Sequence, residues 1–129
     1  MKKKYFILEI ILIQFFLIHF HAAANTNFFE NGKKLFDEKK FEKSKIYFER
    51  DLVFNPKSEM SYLYLAKIFK NDENETEQEF NLKTVILLNP KNEEAIYMLT
   101  LLKIKQSNYE IARELADKFD LICKSFCLK

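Results

Sequence analysis

Glycine is almost missing from this 129-residue chain: there is one, Gly32, beside two prolines and no tryptophan. A single glycine excludes the Gly-rich phosphate loops of nucleotide-binding proteins, which need several for close backbone approach. So few chain breakers, in a sequence rich in Leu, Ile, Phe, Lys and Glu, predict a mostly helical protein. Histidine is equally scarce, since His19 and His21 are the only two and both lie near the start. Cysteine is limited to Cys123 and Cys127. Nor does one sign of charge dominate, with 21 basic and 19 acidic side chains.

The first 24 residues differ from the rest. Lys2, Lys3 and Lys4 precede an apolar run over 5–20, broken by Glu9, Gln14 and His19, and Ala22, Ala23 and Ala24 close it. A basic start, an apolar middle and an Ala-x-Ala end predict a secretory signal peptide, cleaved after Ala24. The alternative is an uncleaved anchor, because a span needs about 20 apolar residues and a charge placed off-centre costs less. Either way the lysines stay inside and the rest is exported. The expected location is therefore periplasmic or extracytoplasmic, or anchored in the inner membrane, with membrane contact only through residues 1–24. Removing them takes away three lysines and Glu9, so the remaining 105 residues carry 18 basic and 18 acidic groups. No basic stripe is left for nucleic acid.

Sliding the sequence against itself is informative. Asn55-Pro56-Lys57 recurs 34 residues later as Asn89-Pro90-Lys91. The same shift lays Phe28 on Tyr62 and Ile96, Leu35 on Phe69, and Phe48 on Leu82 and Ala116. Six helices are predicted, near 27–38, 40–54, 58–70, 76–88, 92–105 and 108–126. Asn27 with Glu30, Thr76 with Glu79 and Ser107 with Glu110 have capping-box spacing, and Ser58 and Asn92 are candidate caps. Pro56 and Pro90 end helices and push the residues before them out of helical geometry. Short connections predict antiparallel hairpins.

On these residues the chain resembles the tetratricopeptide-repeat family over 25–124. Phe28, Gly32, Leu35, Phe41, Ser44, Phe48 and Pro56 carry the pattern in the first unit. Tyr62, Leu65, Ala66, Phe69, Leu82, Val85 and Pro90 carry it in the second. Ile96, Leu99, Tyr109, Ala112 and Phe119 carry it in a degenerate third. Asn31, Asp51, Gln78, Lys103 and Lys124 depart from it. The resemblance implies an all-α solenoid of about three helix-turn-helix units, over 25–58, 59–92 and 93–126, forming one domain over 25–129.

It also implies a concave groove lined by the first helix of each unit, which receives a peptide or helix. The matching positions are Phe29, Lys33 and Phe36, then Met60, Leu63, Lys67 and Lys70, then Glu94, Tyr97, Leu101 and Ile104. Some members grip a terminal carboxylate through Lys, Asn and Arg. Phe29, Lys33, Tyr64, Glu94 and Met98 stand at those places, so that mode is not expected.

Without histidine the exported part has no His-dependent triad, general base or ligand. Residues 71–75 read as a solvated acidic turn rather than a calcium loop, lacking the mid-loop glycine. Cys123 and Cys127 lie four apart on the predicted last helix. That brings their Cα atoms to about 6 Å, within disulfide range. Free thiols or a link between chains remain open. The expectation is a non-enzymatic binding or scaffolding module with a protein partner and no cofactor, metal or catalytic residue. The alternative is a homo-oligomer, assembling through an uncapped apolar face of the last helix, Leu115, Phe119, Ile122 and Phe126.

Overall fold

A computed structural model describes residues 27–124, and the segment before Asn27 and Cys127 lie outside the described residues. Six helices fill that range: α1 (Phe28–Asp37), α2 (Phe41–Phe54), α3 (Glu59–Asn71), α4 (Glu75–Leu88), α5 (Glu93–Lys105) and α6 (Tyr109–Ile122). Consecutive helices pack most heavily as α1 with α2, α3 with α4 and α5 with α6, with α2–α3 and α4–α5 joining the pairs. None of them is long and apolar enough to cross a membrane.

Within each pair the turn is the same Schellman motif, in which two amides bond back to the last carbonyls of the helix. Lys39 and Lys40 N–H donate to Phe36 and Leu35 C=O at 2.8 and 2.9 Å. Glu73 and Asn74 repeat this on Lys70 and Phe69, and Ser107 and Asn108 on Ile104 and Lys103. The pivot residues Lys39, Glu73 and Ser107 recur at the 34-residue period and have φ of 59°, 56° and 57°. That left-handed conformation costs a non-glycine residue about 1–2 kcal/mol. Glycine there gives back part of the gain through unfolded-chain entropy. Each single substitution, Lys39→Gly, Glu73→Gly or Ser107→Gly, should therefore raise stability by about 0.5–1 kcal/mol in urea unfolding.

These turns also relocate two caps. Asn74 and Asn108, rather than Thr76 and Ser107, accept from the Glu77 and Ile111 amides. Ser107 is the left-handed pivot and Thr76 lies one residue inside the helix, so neither stands at the position whose side chain reaches a free amide. Asn92 caps α5 through the Ala95 N–H as expected, whereas Asn27 and Ser58 stand at N-caps without a side-chain cap bond. Between pairs, Asn55 (φ −125°, ψ 70°) and the extended Asn89 (φ −135°, ψ 91°) both leave helical geometry before their prolines, and their C=O groups accept from Ser58 and Asn92 N–H. Proline at the second position suits such a turn.

Several residues that break the repeat do so in contacting pairs. Gly32 lets the Phe48 ring come so close that a Cβ would sit 2.8 Å from it. The second unit has Ala66 and Leu82 at those positions, a larger residue opposite a smaller one, both fully buried. Asp51 is buried between α2 and α3, where it accepts from Ser61 Oγ and from Asn55 Nδ2. One period on, the same places hold Val85 and Ala95, both in the apolar core. Lys45 Nζ lies 4.9 Å from the centre of the Phe69 ring, and one period on Glu79 meets Lys103 at 2.6 Å. No buried side-chain polar atom among the described residues lacks a partner.

The last helix differs from expectation at its end. It stops at Ile122, and Cys123 follows in extended geometry, φ −63° and ψ 127°. Helical spacing therefore does not set the distance from Cys123 to Cys127. Leu115 packs against the core, Phe119 meets the Tyr97 ring at 6.0 Å, and Phe119 and Ile122 are half-buried. The expected uncapped face is thus largely turned into the chain's own packing, apart from Phe126, which lies outside the described residues.

Candidate functional site

The first helices of the three pairs share one concave surface. Phe36 of α1, Lys67 and Lys70 of α3, and Glu94, Tyr97 and Met98 of α5 line a concavity of about 420 Å³. A second concavity of about 220 Å³ adjoins it through Lys70 and Met98, and adds Leu101, Leu102, Lys105, Glu73 and Gln78. Period-matched positions on neighbouring first helices fall side by side, which is why one sequence register collects them.

An aromatic cluster anchors one end. The Tyr64 ring stacks on Phe48 with centroids 5.0 Å apart and meets Phe29 and Phe36 edge-on at 5.8 and 5.0 Å. Burial pushes the Tyr64 hydroxyl pKa up, and the carboxylates of Asp37, Glu94 and Glu30 add to it. Tyr64 therefore stays neutral and offers a hydroxyl rather than a charge. Lys67 Nζ lies 4.9 Å over the Tyr64 ring and pairs with Glu94 at 2.8 Å, tying α3 to α5 across the groove floor. Lys70 is exposed and makes no ion pair among the described residues.

The positions named from sequence divide into three groups. Phe36, Lys67, Lys70, Glu94, Tyr97 and Leu101 line the two concavities. Met60, Lys33 and Ile104 are exposed on the same helices, and Phe29 is half-buried against the first core cluster. Leu63 is 2% exposed and belongs to the core, so it supports the groove from beneath and cannot touch a ligand. The period that leaves Phe29 half-buried and Tyr97 exposed places Leu63 on the central α3, which is covered from both sides. Met98, Leu102, Gln78, Glu73 and Lys105 line the site without having been singled out for it. The signal for Met98 lay in its place one turn beyond Glu94.

A polar network closes one side. Glu79 bonds to both Lys103 and Lys83 at 2.6 Å, and Lys103 Nζ donates to Gln106 Oε1. Gln106 Nε2 in turn donates to Glu75 Oε2, whose carboxylate pairs with Lys105. Hydrogen bonds from Lys103 and then Lys83 hold Glu79 at a pKa of about 2. Hydrogen bonds from Lys105 and then Gln106 also lower the Glu75 pKa below the usual carboxylate value. The acidic turn is thus bonded to α5, with Glu73 as its pivot. The Cys123–Cys127 pairing rests on residue 127, outside the described residues.

No protein-family model and no curated protein matches the sequence. Solved structures do match the fold. The "MamA RS-1 ArsTM double mutant" has a TM-score of 0.71 at 15% identity, over 78% of this chain and 57% of that one. The Sgt2 TPR domain from Aspergillus fumigatus has a TM-score of 0.65 at 15% identity, over 75% and 65%. A chain of the CopN–Scc3 complex has a TM-score of 0.71 at 15% identity, over 84% and 64%. The chain spans less than two thirds of the length of each of these three structures. Likeness at that identity concerns the backbone, and together with the 34-residue register it makes this chain a helical repeat of the tetratricopeptide fold.

Proposed function

We propose that this chain is a non-enzymatic protein-interaction module, which holds a peptide or helix of a partner protein in the groove across α1, α3 and α5. The observation that carries the reading is the groove's composition. Tyr97 and Leu101 present apolar surface above the buried Met98 and beside Lys70, an exposed cation with no ion pair among the described residues. Such a surface suits an amphipathic segment whose polar side is acidic. The likeness to a chain of the CopN–Scc3 complex, a structure that is itself a protein assembly, supports it. The basic and apolar start of the sequence supports a place in the cell envelope, exported or anchored.

Capture from an envelope extract tests both parts. The full chain should retain a protein that the Leu101→Asp/Lys70→Glu variant loses at least tenfold, since charge reversal and a carboxylate left unpaired beneath the partner act together. Equal retention by a folded variant would move the binding surface elsewhere. Recovery of the native chain from the cytosolic fraction would remove the envelope assignment.

A further inference from the structure

One edge of the molecule carries a feature the groove does not use. Val53, Leu87 and Leu121 occupy the same register position, 34 residues apart, and each is the penultimate residue of a second helix. Their exposures are 75%, 81% and 87%, the highest of the exposed large apolar residues among the described residues. Phe54 stands beside Val53, 66% exposed, with its ring stacked on Phe28 at 5.5 Å.

Three contacts put these helix ends on one edge with the starts of the first helices. The Phe28–Phe54 stack joins the start of α1 to the end of α2. Glu59 Oε1, at the start of α3, accepts from Asn89 and Asn92 Nδ2 just past the end of α4. Glu93 Oε1, at the start of α5, accepts from the Lys124 N–H past the end of α6. Those bonds engage Glu59 and Glu93, two carboxylates at the starts of first helices. Lys57 and Lys91 follow the same turns one period apart, exposed and without an ion pair among the described residues.

We propose that this edge faces a lipid surface, with Val53, Phe54, Leu87 and Leu121 entering the headgroup region of an anionic bilayer and Lys57 and Lys91 pairing with its phosphates. A contiguous apolar patch would suit a protein partner, whose contacts concentrate in a well-packed pocket. Here single apolar tips are spaced one per unit along an edge and interleaved with lysines. That is the pattern of shallow interfacial insertion, where apolar area and basic charge add. The exposed Lys57 and Lys91, unpaired among the described residues and beside the apolar tips, match the negative charge of an anionic surface. The contact is separate from the groove, which opens across the first helices.

The absence of tryptophan makes the test direct. The full chain carrying Leu87→Trp is mixed with phosphatidylglycerol vesicles containing brominated lipid, and a Lys43→Trp chain reports from the opposite end of a second helix. The Leu87→Trp emission should shift to the blue and be quenched several-fold more than that of Lys43→Trp. It should be quenched less on neutral phosphatidylcholine, and Lys57→Glu/Lys91→Glu in the same chain should remove most of the quenching. Equal quenching at the two positions would overturn the proposal, because a tether near the start of the chain alone would give it. A concentration-dependent blue shift without vesicles would overturn it in favour of a second copy on this edge. An unchanged Leu87→Trp spectrum on anionic vesicles would overturn it too, while leaving the groove reading intact.

Discussion

Glu79→Ala should destabilise this chain by about 3–5 kcal/mol, because it strands a buried cation. The Lys103 side chain is only 7% exposed, and its charge faces Glu79 at 2.6 Å. Gln106 would still accept one hydrogen bond from it, but carries no compensating charge. Urea unfolding of the single variant checks the cost. The Glu79→Met/Lys103→Met double variant supplies the sign, since replacing both partners with apolar groups is about neutral or stabilising. A double variant as weak as Glu79→Ala would mean that the pair is not the cause.

The same carboxylate sets a pH dependence. Its folded pKa is about 2, against an ordinary value of 4.5. A group whose folded pKa is depressed contributes stability above its unfolded pKa and loses it as pH falls through the folded one. The Glu79 contribution should therefore be full above about pH 4.5 and fade between about 4.5 and 2. Glu79→Gln should flatten this part of the melting curve, seen as a smaller drop in Tm between pH 6 and pH 3. An unchanged drop would place the acid sensitivity on other groups.

Gly32→Ala should cost about 1–3 kcal/mol, the usual range for overpacking a filled core. The added Cβ would lie 2.8 Å from a ring that is fully buried and pinned between Phe29 and Tyr64. Phe48→Ala should cost more, about 3–5 kcal/mol, through the cavity it leaves. The informative variant is Gly32→Ala/Phe48→Leu, which rebuilds the first unit as the second, where Ala66 meets Leu82. Its cost should fall below the sum of the single variants by about 0.5–3 kcal/mol, the range for residues in contact. One kcal/mol corresponds to about 4–8 °C in Tm for a domain of this size, so melting curves resolve the difference. Strict additivity would mean that the two positions do not share the space.

These pairs also show what one sequence can and cannot reveal. The period of 34 and the two Asn-Pro-Lys triplets were enough to place the helix starts and most ends, because turn chemistry acts over a few residues. Asp51, Gln78 and Lys103 looked like defects of the repeat. Asp51 has Ser61 as its partner and Lys103 has Glu79, each on the facing helix, and no local pattern says which faces meet. Thr76 and Ser107 had capping-box spacing, but the Schellman turn fixes the cap one residue after its left-handed pivot, at Asn74 and Asn108. A Cα in the left-handed region leaves no mark in a sequence that uses Lys, Glu and Ser there instead of glycine. The groove was legible as a register, so six of its positions converge on the two concavities. Burial was not legible: Leu63 shares that register and lies beneath the surface, because α3 is the central first helix.

The central claim is that a partner protein lies along α1, α3 and α5. A photo-reactive phenylalanine at Leu101, 41% exposed in the groove, tests it most directly, with the same group at Ile46, 49% exposed on α2, as the comparison. Irradiated in intact cells, the Leu101 position should give one dominant protein adduct, diminished by Lys70→Glu and absent from the Ile46 position. Adducts from Ile46 with none from Leu101 would contradict the groove and place the partner on the second helices.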